Sequence, residues 1–138
     1  MDDLDNTLAH DQTAFQTLAD GYEHDLELAY QARIIHQTVH TAVIQLPDEA
    51  WARRVSGVFG NELANQYPDR AHAVITEKQT GDFLVSVRAP LSRKEGADEL
   101  VSQFPTGGGR KAAAGINNLP KELLKQFIEA FDVQFSSA

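Results

Sequence analysis

Phe104-Pro105-Thr106-Gly107-Gly108-Gly109-Arg110-Lys111-Ala112-Ala113-Ala114-Gly115 sets three consecutive glycines, two cations and three alanines in one short stretch. Glycine loses more backbone freedom on folding than any other residue, so three in a row are costly to order and a bland loop has little use for them. Without Cβ atoms the run can adopt positive φ, gather backbone N–H groups into one concavity and admit a ligand to the main chain, as anion-binding nests do. Arg110 and Lys111 add positive charge at its rim. The run is no P-loop, because the four-residue spacer between glycines and the Lys-Ser/Thr ending are absent, nor is it read as a Rossmann fingerprint. A structural role stays open beside the binding one: Gly107 to Gly109 as a tight connection into a buried strand, with Ala112 to Ala114 small enough for close packing beneath it.

Working outward, Ala112 to Ile116 reads as a last strand and Pro120 to Phe131 as a closing helix, while Ala97 to Phe104 reads as a short helix leading into a Gly-rich loop, Pro105 to Gly109. Further upstream, Ala71 to Glu77 and Phe83 to Arg88 are two β-prone runs joined by Gln79-Thr80-Gly81-Asp82, which predicts an antiparallel hairpin ended by Pro90. Pro47-Asp48-Glu49 places proline and two acids where a helix N-terminus favours them, and Trp51, Val55, Val58, Phe59 and Leu63 supply an apolar face before Pro68 stops it. Thr38 to Leu46 is rich in Val, Ile and Thr and reads as the first strand. From Asp11 to Gln37, Phe15, Leu18, Tyr22, Leu26, Ala29 and Ile34 recur mostly at three- and four-residue steps, which predicts an amphipathic helix weakened at Gly21. Such a helix is about 40 Å long, more than the core of a small domain covers.

The expected fold is mixed α/β: a small mixed sheet of four or five strands flanked by helices and preceded by a long N-terminal helix. Residues 1–37 are expected to form an acidic tail and that helix, and residues 38–138 one domain. A chain of 138 residues is long enough for such a core, and 42% apolar and 23% charged residues are ordinary for a folded domain.

The net charge of −8 is unevenly placed. Residues 1–30 hold eight acids and no Lys or Arg, so the other 108 residues are neutral overall. Absence of cysteine excludes disulfides, Cys-zinc sites, iron–sulfur clusters and thiol catalysis, and points to the cytoplasm as the expected compartment. No stretch approaches the apolar length of a membrane span, so no membrane partner is expected.

Catalytic constellations are incomplete. His36 and His40 share the four-residue spacing of zinc-binding helix histidines, but Gln37 stands where a metalloprotease motif needs its general-base Glu, and they are read as ordinary histidines at a helix-to-strand junction. Asp3 and Asp5 have no preceding apolar strand to hold them at metal distance. Ser86 has no His and acid partner at a suggestive spacing. No catalytic residue and no metal ligand is assigned. Arg88, at the end of a strand, can converge with Arg110 and Lys111 if strand ends and the Gly-rich loop gather at one rim, while Arg93 and Lys94 are expected to face solvent.

Ala97-Asp98-Glu99-Leu100 through Phe104, followed by Gly107-Gly108-Gly109-Arg110-Lys111-Ala112-Ala113-Ala114-Gly115, resembles the Gly-Gly-Gly-His-x-x-Ala-Ala-Gly motif of the DHH-associated C-terminal domain in the DHH phosphoesterase superfamily. Val85-Ser86-Val87-Arg88 is similar to that family's Val-Ser-Leu-Arg strand, and Gly60-Asn61-Glu62-Leu63-Ala64 to the helix segment before it. The resemblance covers roughly Thr38 to Ile116, and the long helix before it resembles the linker helix that joins the family's two domains. Arg110 stands where the family often has His, and Ala89 follows Arg88 where Ser is frequent.

The resemblance implies a substrate-binding domain in which Arg88, Gly107, Gly108, Gly109 and Arg110, assisted by Lys111, hold phosphate groups of a short oligonucleotide, a nucleotide or another phosphorylated substrate. It implies no cofactor in this chain: a divalent ion such as Mn2+ belongs to an N-terminal Asp-His-His domain, and the sequence contains no Asp-His-His. The chain is therefore expected to be non-catalytic by itself and to resemble a fragment of a metal-dependent phosphodiesterase or exopolyphosphatase-like hydrolase. Two alternatives stay open: a protein-interaction or homodimerisation module, and a tRNA-binding domain like that of alanyl-tRNA synthetases, against which the neutral balance of residues 31–138 argues.

Overall fold

A computed structural model of the chain describes residues 23–136. Expectations about the acidic start, Asp3, Asp5 and the helix from Asp11 to Tyr22 lie outside those residues. The described part of that helix is short: α1 covers Glu23–Ala29. Arg33–Gln37, expected to continue it, is instead strand β1, paired antiparallel with β2 (Thr41–Leu46). Ile34, read as one more step of the helical period, is an exposed side chain on this edge strand.

The sheet has six strands, one more than the upper expectation, in the order β1-β2-β3-β4-β6-β5. β3 is Ala71–Glu77 and β4 Phe83–Arg88, and the two form the expected antiparallel hairpin, closed by Gly81 at φ 92°. Only β2 and β3 run parallel, because α2 (Ala50–Gln66) carries the chain back between them. The Gly-rich segment is not a loop. Gly107–Gly109 is a short edge strand, β5, paired with β6 (Ala113–Leu119), and β6 in turn pairs with β4.

Alternation along the strands divides the core in two. Val43, Ala73, Ile75, Phe83, Val85, Val87 and Ile116 face one side. There they meet Leu100 and Val101 of α3 (Ala97–Val101) and Phe127, Phe131 and Phe135 of α4 (Leu124–Phe135), which follows a 3-10 turn over Lys121–Leu123. The three phenylalanines recur every four residues and pack ring on ring, Phe127 stacked with Phe131 at 5.9 Å. Ala42, Ile44, Leu46 and Val74 face the other side, under Ala52, Val55, Phe59 and Leu63 of α2. α1 closes that layer: Tyr30 meets Phe59 edge-on at 5.1 Å, and Arg54 Nε donates to the buried Asp25 carboxylate at 2.8 Å. Among the described residues, no helix is long and apolar enough to cross a membrane.

Candidate functional site

The face beneath α2 changes character across the sheet. α2 packs on β3 and β4. The register sets Val74, Ser86, Gly115 and Gly108 in one row, and His72, Arg88 and Ala113 in the next. Past β4 these two rows hold only the small residues Gly115, Gly108 and Ala113, leaving a bare strip of strand from Ser86 to Gly108, hereafter the trough, with α2, packed on β4, as its wall.

Arg88 lies across that wall. Its Nε donates to Asn61 Oδ1 at 2.6 Å, Nη2 to the Gly57 carbonyl at 3.1 Å and Nη1 to the Val87 carbonyl at 3.1 Å. α2 carries glycine at both contact positions: a Cβ on Gly60 would stand 3.3 Å from Arg88 Cγ, a slightly tight contact, and one on Gly57 3.4 Å from Nη2, an ordinary one. Burial pulls the Arg88 guanidinium below its ordinary pKa, and the nearby charge of Arg110 pushes the same way. Arg110 is exposed, just beyond Gly109, and no carboxylate among the described residues pairs with either arginine.

The three glycines divide by role. A Cβ on Gly107 would stand 1.9 Å from the Val101 carbonyl oxygen, so this residue is glycine because β5 passes directly over α3. Gly109 holds φ 145°, and its Cβ would meet Ala114 Cα at 2.4 Å. Packing within the chain accounts for both. Gly108 is exposed and a Cβ there meets nothing within 4 Å, so its bareness leaves open space over the trough. Positive φ, expected of the run as a nest, occurs in it only at Gly109, with Thr106 at φ 63° just before it.

Lys111 does not join the arginines. It lines a cavity of about 490 Å³ with Asp69, Glu95, Asp98 and Glu99, and its charge, after the hydrogen bond and charge of Arg93, helps hold the Glu95 carboxyl below its usual range. Arg93 and Lys94 are exposed, Arg93 donating to Glu95 at 2.9 Å. His36 and His40 lie on β1 and in the turn before β2, and His36 Nε2 is 2.5 Å from Asp132 Oδ2, tying β1 to α4. Among the described residues no three His, Asp or Glu side chains form a group able to hold a metal ion. Sequence reasoning missed Asn61 as an anchor of Arg88. The segment containing it was singled out, but nothing in its spacing signals a contact across 27 residues.

A family model described as the DHHA1 domain matches residues 33–137. The chain belongs to the DHHA1 domain family. The matched DHHA1 domain starts at the first residue of β1 and contains the whole sheet. No curated protein matches by sequence. Among solved structures, an exopolyphosphatase-related protein from Bacteroides fragilis superposes with a TM-score of 0.61 at 13% identity, covering 91% of this chain and 38% of its own. A pGpG-specific phosphodiesterase, PggH from Vibrio cholerae, gives 0.57 at 14% identity, covering 84% and 40%. The C-Ala domain of Aquifex aeolicus alanyl-tRNA synthetase gives 0.55 at 14% identity, covering 73% and 97%. These likenesses establish a shared fold, and the chain spans about two-fifths of the length of the first two proteins.

Proposed function

We propose that this DHHA1 domain holds a phosphodiester group of a short oligonucleotide or nucleotide in the trough between α2 and β5, and presents it to a catalytic domain that supplies the divalent metal. The supporting observation is Arg88, whose charge is disfavoured by burial and further by the nearby Arg110, beside the open space at Gly108. A phosphate between them relieves that repulsion and gains charge-assisted hydrogen bonds. Ser86 and the bare strand surface at Gly115 and Gly108 then lie against the ligand. Lys111, turned toward acids, contributes little.

Two cations in a stretch, residues 31–138, that is neutral overall with both of them counted suit a short single strand better than a duplex, and the salt dependence should be shallow, with a log–log slope of about −1 to −2. The test is fluorescence anisotropy of a labelled trinucleotide against the full chain, over a salt series, for wild type, Arg88→Ala, Arg110→Ala and Lys111→Ala. Either arginine substitution is expected to weaken binding about tenfold or more and reduce the slope by about one half to one unit, with Lys111→Ala near wild type. Equal binding by wild type and both arginine variants overturns the reading.

A further inference from the structure

The geometry points to Asn61 as a positioning residue that turns Arg88 into a two-pronged receptor for the paired non-bridging oxygens of a phosphodiester, an inference that rests on the function proposed above. A guanidinium carries five N–H groups. Nε takes Asn61 and Nη2 takes the Gly57 carbonyl. Nη2 is the terminal nitrogen on the same side as Nε–H, so these acceptors, one helical turn apart on α2, hold a single lateral edge of the group. Nη1 donates to the Val87 carbonyl. One N–H is then left on each terminal nitrogen, and neighbouring N–H groups of this kind are what a phosphate accepts side by side.

Acceptors and space act together here. Gly57 and Gly60 disfavour the helix that contains them, yet both face Arg88 at contact distance, and Gly60 is buried. Asn61 is exposed, and its carbonyl oxygen receives the shortest of the three Arg88 bonds. It is a neutral acceptor. An Asp at this position would fix the guanidinium equally well but offset the charge the phosphate needs, whereas the amide orients Arg88 and leaves its charge available.

The experiment uses the full chain and a dinucleotide with one internal phosphodiester and hydroxyl ends. Affinity, thermal midpoint and the Arg88 Nε–H resonance in a 15N-labelled sample are measured for wild type, Asn61→Ala, Asn61→Asp and Arg88→Ala. Asn61→Ala is expected to weaken binding about tenfold and broaden or lose the Nε–H signal, with the thermal midpoint unchanged or raised, since alanine favours the helix. Asn61→Asp should keep the Nε–H signal and still bind weakly. If Arg88→Ala loses binding while Asn61→Ala binds like wild type, or weakens only in step with a fall in thermal midpoint, Asn61 does not position Arg88 and the proposed function stands. If Asn61→Asp binds as tightly as wild type, the need for a neutral acceptor is wrong. Arg88→Ala binding like wild type defeats the proposed function itself.

Discussion

The two faces of β4 differ as much as any two regions of the molecule. Phe83, Val85 and Val87 point into an apolar layer sealed by the phenylalanines of α4. Leu84, Ser86 and Arg88 alternate with them and are all half-buried, and the row beside Arg88 contains His72, buried with neither ring nitrogen partnered among the described residues. One face secures the fold. The other keeps polar groups at a cost in stability.

The largest effect should come from breaking the sealed face. Phe131 is fully buried and stacks on Phe127, and Phe131→Ala should lose about 3–5 kcal/mol by urea denaturation. A loss below about 1 kcal/mol would mean that α4 contributes little to the core.

The contrast sharpens at His72, where burial, and secondarily Arg70, push the imidazole down to a pKa of about 4. The unfolded chain protonates near the ordinary value of about 6.5, so between these values the unfolded state binds the extra proton. Stability contributed by the neutral imidazole is complete above pH 6.5 and falls as the pH drops, levelling off below pH 4. The full loss is about 3 kcal/mol at roughly 1.4 kcal/mol per pH unit. His72→Leu removes this titration and two unsatisfied buried nitrogens, so it should match or exceed wild type at pH 7 and gain on it steadily toward pH 4. Denaturation curves that shift in parallel for the two proteins would show that His72 does not titrate in this way.

A smaller pair of effects separates the glycines. Gly107→Ala forces β5 off α3 and should cost about 1–3 kcal/mol. Gly108→Ala meets open space, and should be neutral or stabilising by about 0.4–1 kcal/mol while weakening oligonucleotide binding. Equal destabilisation by both substitutions would remove the reason for assigning Gly108 to a ligand.

Much of this contrast was legible before the structure. The hairpin from Ala71 to Arg88 was readable because its β-branched runs are bounded by turn chemistry, and α2 because its apolar period is strong. β1 was misread as helix because an edge strand with most of its side chains exposed shows no clean alternation, leaving Ile34 to fit a helical step. β5 was hidden for a different reason. Glycine carries no strand preference, and this strand exists only where β6 offers partners and α3 leaves no room for a Cβ. Arg88 and Arg110 could be singled out from a strand end and a Gly-rich stretch, and again from the resemblance, but the divergence of Lys111 depends on which side of the sheet each successive residue leaves, and the contact of Asn61 on the approach of α2 to β4. Neither is written in local spacing.

Chemical-shift mapping of the full 15N-labelled chain during titration with the hydroxyl-ended dinucleotide locates the bound phosphodiester. The largest shifts should fall on Gly108, Arg110, Gly115, Arg88 and Asn61, with Lys111, Glu95 and Asp98 nearly still. Shifts centred instead on the cavity beside Lys111, or none at millimolar dinucleotide, would contradict the proposed function.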